Sequence, residues 1–163
     1  MKKILFVTLA VIMLGCIEIL PKPTESGKNT FGCKINNEKF IPEKRGLFSG
    51  PPVYGSLNTD SSFYLVGDVK PHSVSIFMKK ITKTGDYILS DKFNRAEYSN
   101  YATDSFDYFT NQKSTGKVNI SRVDYTKGIV SGTFEFEAVN KNDPTDIVKI
   151  TKGRFDIDFT TLK

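Results

Sequence analysis

From position 29 onward, apolar side chains return at every second residue, in short runs broken by turn residues. Phe31, Cys33 and Ile35 alternate with polar neighbours. Asn36-Asn37 then offers a two-residue turn, because asparagine tolerates positive φ. A hairpin closed there sets Cys33 opposite Phe40 on one face. Residues 42–58 break any period with Gly46, Gly50, Pro51, Pro52 and Gly55, and are expected as a long surface loop between strands. In 62–69, Phe63, Leu65 and Gly67 take one face and Tyr64, Val66 and Asp68 the other. Pro71-His72 marks a turn, and 73–81 resumes with Val74, Ile76 and Met78 alternating. Shorter runs follow at 87–90, 96–101 and 105–110. In 116–123, Val118 and Ile120 are expected to face inward.

The C-terminal pair is the most explicit. Phe134, Phe136 and Ala138 alternate with Thr133, Glu135 and Glu137, and a second strand carries Val148 and Ile150. Pairing Phe136 with Ile150 also pairs Ala138 with Val148, and sets Glu137 opposite Lys149. Further along, the inward set changes parity, since Phe155, Ile157 and Phe159 are odd-numbered while Val148 and Ile150 are even. One residue must be absorbed between them, so a β-bulge is expected at Lys152-Gly153, with the glycine accommodating it. No sustained 3.6-residue period occurs in 29–163. The expected fold is therefore all-β: a single antiparallel domain of about nine or ten strands, as a β-sandwich in preference to an up-and-down β-barrel.

The first residues follow a different pattern. Lys2 and Lys3 precede an apolar run over 4–14 that only Thr8 interrupts, and Gly15-Cys16 ends it. The run is about half the ~20 residues needed to span a bilayer. Charge, apolar run and small residue in this order read as a secretory signal. With Cys16 next, the segment resembles the lipobox of bacterial lipoproteins, although Met13 stands where leucine is most frequent. The resemblance implies cleavage before Cys16 and a diacylglyceryl lipid on its thiol. Ile17 occupies the place of the aspartate that retains some lipoproteins at the inner membrane, so the outer membrane is implied. The expected organisation is then a signal peptide over 1–15, a flexible Pro/Ser/Gly tether over 16–28 and the β domain over 29–163.

Loss of the signal, with its two lysines and no acids, lowers the net charge from +5 to +3. That is too mild, and its charges too interspersed, to suggest nucleic acid as a partner. With Cys16 carrying lipid, Cys33 has no second cysteine, so no intramolecular disulfide is expected and Cys33 reads as an apolar core residue.

Four segments, 29–36 (NTFGCKIN), 115–120 (TGKVNI), 131–136 (SGTFEF) and 150–156 (ITKGRFD), are similar to segments of small Bacteroidota lipoproteins that carry a domain of unknown function. The resemblance implies envelope location and one domain, and it implies no activity.

Candidate chemistry is sparse. His72, the one histidine, lies in an expected turn and reads as solvated, so nothing points to a hydrolytic triad. Glu135 and Glu137 share a strand face about 6–7 Å apart, near the spacing of glycoside-hydrolase carboxylates, but they read as surface residues. Asp156 and Asp158 read likewise. Asn140, Asn142, Asp143 and Asp146 offer oxygen ligands, yet lack calcium-loop spacing and sit with Pro144 as turn residues. No metal or cofactor is expected. The best binding candidates are Tyr98, Tyr101 and Tyr108, in a segment that also holds Phe106 and Phe109, because tyrosine joins a flat apolar ring to a hydroxyl. The expected role is a non-enzymatic envelope module that contacts the membrane through Cys16 and a protein or glycan through these tyrosines. A carrier for a small apolar ligand is the alternative, with a glycan-processing hydrolase ranked below it.

Overall fold

The computed structural model describes residues 20–43, 46, 50–90, 92–102 and 106–162. Cys16 and the apolar N-terminal run lie outside the described residues. The strands are β1 (Thr30–Ile35), β2 (Glu38–Phe40), β3 (Val53–Leu57), β4 (Phe63–Val69), β5 (His72–Met78), β6 (Gly85–Leu89), β7 (Asn94–Asn100), β8 (Phe106–Phe109), β9 (Gly116–Asp124), β10 (Ile129–Asn140) and β11 (Ile147–Asp158). All eleven belong to one antiparallel sheet with the path β2-β1-β11-β10-β8-β7-β5-β4-β3.

The domain is all-β, and one curled sheet takes the place of the two stacked sheets preferred from sequence. The reason lies in β10. Its residues 129–136 pair with β9, and residues 139–140 pair with β8. One long strand thus feeds two neighbours on the same edge, β9 carries β6 outward, and the main path continues unbroken into β8 and β7. The sheet curls into a half-barrel whose two arms meet through their side chains. Phe63 of β4 lies 5.7 Å from Phe155 of β11, ring to ring, and a Cβ at Gly67 of β4 would stand 2.6 Å from the Phe31 ring of β1. Phe31, Phe63, Leu65, Ile76, Met78, Ile150 and Ile157 are all within 2 % of full burial. Side chains of these residues fill the concave side, as close-packed interiors require.

The predicted registers are found. Phe136 pairs with Ile150, Glu137 with Lys149 and Ala138 with Val148. Asn36 and Asn37 turn with φ of 48° and 73°, and Cys33 faces Phe40. Cys33 is a free, fully buried thiol, and burial pushes its pKa up. The bulge is also present, with two residues, Thr151 and Lys152, facing the single Glu135. However, the left-handed residue is Lys152, at φ 53°, and not the glycine. Gly153 does a different job: a Cβ there would stand 2.5 Å from the Phe134 ring.

The eleventh strand, β3, forms within the segment read as a loop. Pro51 and Pro52 precede it and Gly55 interrupts its pattern. As an edge strand it needs no donor on its outer side. Gly55 faces Leu65 where any Cβ would collide with the Tyr64 carbonyl.

Residues 20–28, expected as flexible tether, dock on the sheet. Leu20 is 6 % exposed. Arg154 donates to the Pro21 carbonyl at 2.8 Å, and Arg122 donates to the Glu25 carbonyl at 2.5 Å. Asp156 accepts from Thr24 Oγ1, the backbone N–H groups of Ser26, Gly27 and Lys28, and Ser131 Oγ. A run rich in proline and glycine reads as a spacer only while its backbone donors lack a partner, and one buried carboxylate supplies it here.

Candidate functional site

Alternation along β3, β4, β5 and β7 sends one set of side chains to the interior and the other to the convex face. The convex set forms two cross-strand rows, Tyr54–Val66–Ser75–Glu97 and Tyr64–Phe77–Arg95. Tyr101 follows β7, where its N–H bonds the Pro71 carbonyl at 2.8 Å. Tyr54, Tyr64 and Tyr101 are 38 %, 38 % and 50 % exposed. Their phenols form one electrostatic group. Partial burial, then Tyr64, Asp68 and Tyr101, hold Tyr54 above the usual tyrosine range. Partial burial and Glu97 do the same for Tyr64, against Arg95. Arg95 is fixed at the rim by a 2.8 Å ion pair to Glu97 and by its guanidinium 4.6 Å from the Phe77 ring centre.

One polar group at this face is unsatisfied. Asp68 Oδ1 is buried and has no hydrogen-bond partner. A buried acceptor left so costs about 1–3 kcal/mol. The face therefore combines exposed rings with a buried carboxylate oxygen that has no partner among the described residues.

The sequence candidates divide between two places. Tyr101 belongs to this convex platform. Tyr98 and Tyr108 face the interior, 4 % and 8 % exposed, with ring centres 5.4 Å apart. The Tyr98 hydroxyl and His72 Nδ1 share a 2.8 Å hydrogen bond. Tyr108 donates to Asp146 at 2.7 Å, and Asn140 Nδ2 donates to the same oxygen at 2.9 Å. Tyr108 and two of the four oxygen-ligand candidates thus form one part-buried hydrogen-bonded group, which touches the Tyr98–His72 pair through ring packing alone. Burial, with Tyr108 beside it, pushes Tyr98 up to about 12. Burial and the Asp146 carboxylate raise Tyr108 as well. His72 is part of β5 and half-buried against Tyr98, in place of the solvated turn position expected for it.

Asn142 and Asp143 serve the turn. Asn142 N–H bonds Asn140 Oδ1, and Asp143 Oδ1 accepts from Thr145 N–H and Oγ1. Among the described residues, no three His, Cys, Asp or Glu side chains are grouped to hold a metal ion. Glu137 pairs with Lys149 at 2.8 Å on the opposite arm of the sheet, and Asp158 caps the last turn through Thr160.

Sequence reasoning missed Tyr54, Tyr64 and Asp68 as site residues. The alternation had already put Tyr64 and Asp68 on one outward face, which was the available signal. Tyr54 gave none, because its strand was read as loop.

No curated protein and no solved structure matches the chain. The family model described as Domain of unknown function (DUF6252) matches residues 43–156. That span holds every residue of the tyrosine platform and eight whole strands, from β3 to β10. The chain belongs to the DUF6252 family.

Proposed function

We propose that the protein is a non-enzymatic binding module of the bacterial cell envelope, held at the outer membrane by a lipid on Cys16, and that it binds a glycan on the convex tyrosine face. The observation that carries the reading is the grouping of Tyr54, Tyr64 and Tyr101 on one exposed face, with the unpartnered Asp68 oxygen beside Tyr54. Sugar rings offer C–H faces to aromatic rings and hydroxyl donors to a carboxylate. The lipobox-like start and the similarity to Bacteroidota lipoproteins support the envelope location. A non-catalytic role is favoured because the acid–base groups are engaged elsewhere: His72 with Tyr98, Glu137 with Lys149 and Asp156 with five donors.

The test is retention on immobilised envelope polysaccharide. The wild-type protein is expected to be retained. The Tyr54→Ala/Tyr101→Ala double variant should bind about tenfold more weakly or worse, equivalent to ~1.4 kcal/mol, at unchanged thermal stability. Equal retention of both proteins, or a wild type that captures an envelope protein and no polysaccharide, overturns the glycan reading.

A further inference from the structure

The docked segment over 20–28 limits how the domain can stand at a membrane. Leu20 is already buried. At about 3.3–3.6 Å per extended residue, four residue steps separate Cys16 from Leu20 by no more than ~14 Å. A lipid on Cys16 would therefore bring the surface around Leu20 and Pro21 next to the headgroups.

That surface is basic. On the convex face of the β2–β1–β11 arm, Lys39 stands directly opposite Lys34, with Thr151 next in the row. Like charges in cross-strand register destabilise each other. Lys22 and Lys152 are exposed beside them, and Arg154 reaches Pro21. The ion pairs among the described residues are Arg95–Glu97, Lys117–Asp86, Arg122–Asp124 and Lys149–Glu137. None involves Lys22, Lys34, Lys39, Lys152 or Arg154. These five cations flank the point at which the chain leaves toward Cys16. The tyrosine face belongs to the other arm. Because β4 and β11 meet across the core through Phe63 and Phe155, their convex faces point away from each other.

We infer that the basic strip of Lys22, Lys34, Lys39, Lys152 and Arg154 seats the domain on an anionic lipid surface and turns the tyrosine face away from the bilayer. The inference rests on the reading of Cys16 as lipidated. Each basic residue near such a surface is attracted to it within a Debye length, so the strip gives the chain a salt-sensitive affinity of its own for anionic lipid and sets the orientation of an anchored domain.

The experiment uses the full chain made in a bacterium, and the mass of its N-terminal peptide is measured first. Lipidated protein is placed in phosphatidylcholine vesicles with or without phosphatidylglycerol, together with a headgroup-attached nitroxide quencher. Cys33 is buried, so a fluorophore can be attached at Thr151→Cys or Tyr101→Cys. In phosphatidylglycerol vesicles, the probe at 151 should be quenched several-fold more than the probe at 101. Salt or Lys34→Glu/Lys39→Glu should shrink that difference. Equal quenching at both sites in vesicle-bound protein overturns the proposal. A peptide without lipid mass refutes the anchor reading separately. The unlipidated chain is then sedimented with phosphatidylglycerol vesicles. Binding lost in Lys34→Glu/Lys39→Glu supports the strip, and absence of binding overturns it.

Discussion

Two aspartates on the convex side of one sheet have opposite surroundings. Asp156 on β11 is 1 % exposed and receives five donors, three from the backbone of the segment over 24–28 and two from hydroxyls. Asp68 on β4 has a buried oxygen with none. Around Asp156 the protein's own chain supplies every donor, and that face is closed. Beside Asp68 stands Tyr54, one of three tyrosines exposed on that side of the sheet, and no donor among the described residues reaches the buried oxygen. The contrast teaches that a carboxylate's role is set by who supplies its donors, and that the sheet's two arms are built for different tasks.

Breaking the closed face should have the largest effect. Asp156→Ala leaves five donors unmatched and is expected to cost about 3 kcal/mol, by the usual worth of hydrogen bonds to a charged group. Urea unfolding measures it, and limited proteolysis should cut within residues 20–28 far sooner than in wild type. Acid should act in the same direction. Burial works to raise the Asp156 carboxyl, but the bonds from Thr24, Ser131, Gly27 and Ser26 outweigh it, and its pKa lies below the ordinary aspartate value. The stabilisation is therefore complete above an unfolded pKa of about 3.9 and is lost as pH falls through the lower folded value. Proteolysis of the segment against pH should show release only below about pH 4.

Gly153→Ala tests the packing beneath that face. A Cβ at 2.5 Å from the Phe134 ring forces the ring to move, at a cost of about 1–3 kcal/mol, read as a lowered urea midpoint. On the open face the expected stability effects are smaller and one changes sign. Asp68→Ala removes the unpaired buried acceptor and should stabilise by up to about 1 kcal/mol, while weakening ligand retention. Tyr54→Ala should change stability by no more than about 0.5 kcal/mol, as surface substitutions do, with its effect confined to binding.

The readable parts of this fold were those set by nearby residues. The Asn36-Asn37 turn, the Phe136–Ile150 register and the bulge near Gly153 each follow from alternation and turn chemistry within one hairpin. The unread parts depend on distant partners. Strand β3 exists because Gly55 lets the chain lie close against β4, a fact carried by β4 and not by the sequence around Pro51 and Pro52. The segment over 20–28 is ordered by Asp156, which lies more than a hundred residues away. Tyr101 lies exposed after β7, on the convex side. Tyr98, Tyr108, Asn140 and Asp146 were singled out for separate reasons, and the fold hydrogen-bonds the last three together and packs the Tyr98 ring against Tyr108. Composition marks tyrosine as useful for contact, but which face each ring takes depends on strand parity and on where each strand begins.

Backbone amide NMR of the protein, titrated with envelope polysaccharide, tests the central claim most directly. A glycan held on the tyrosine face shifts only Tyr54, Tyr64, Asp68, Tyr101 and their cross-strand neighbours, and nothing along residues 20–28 or β11. Shifts centred on residues 20–28, or no shift at saturating glycan, would contradict it.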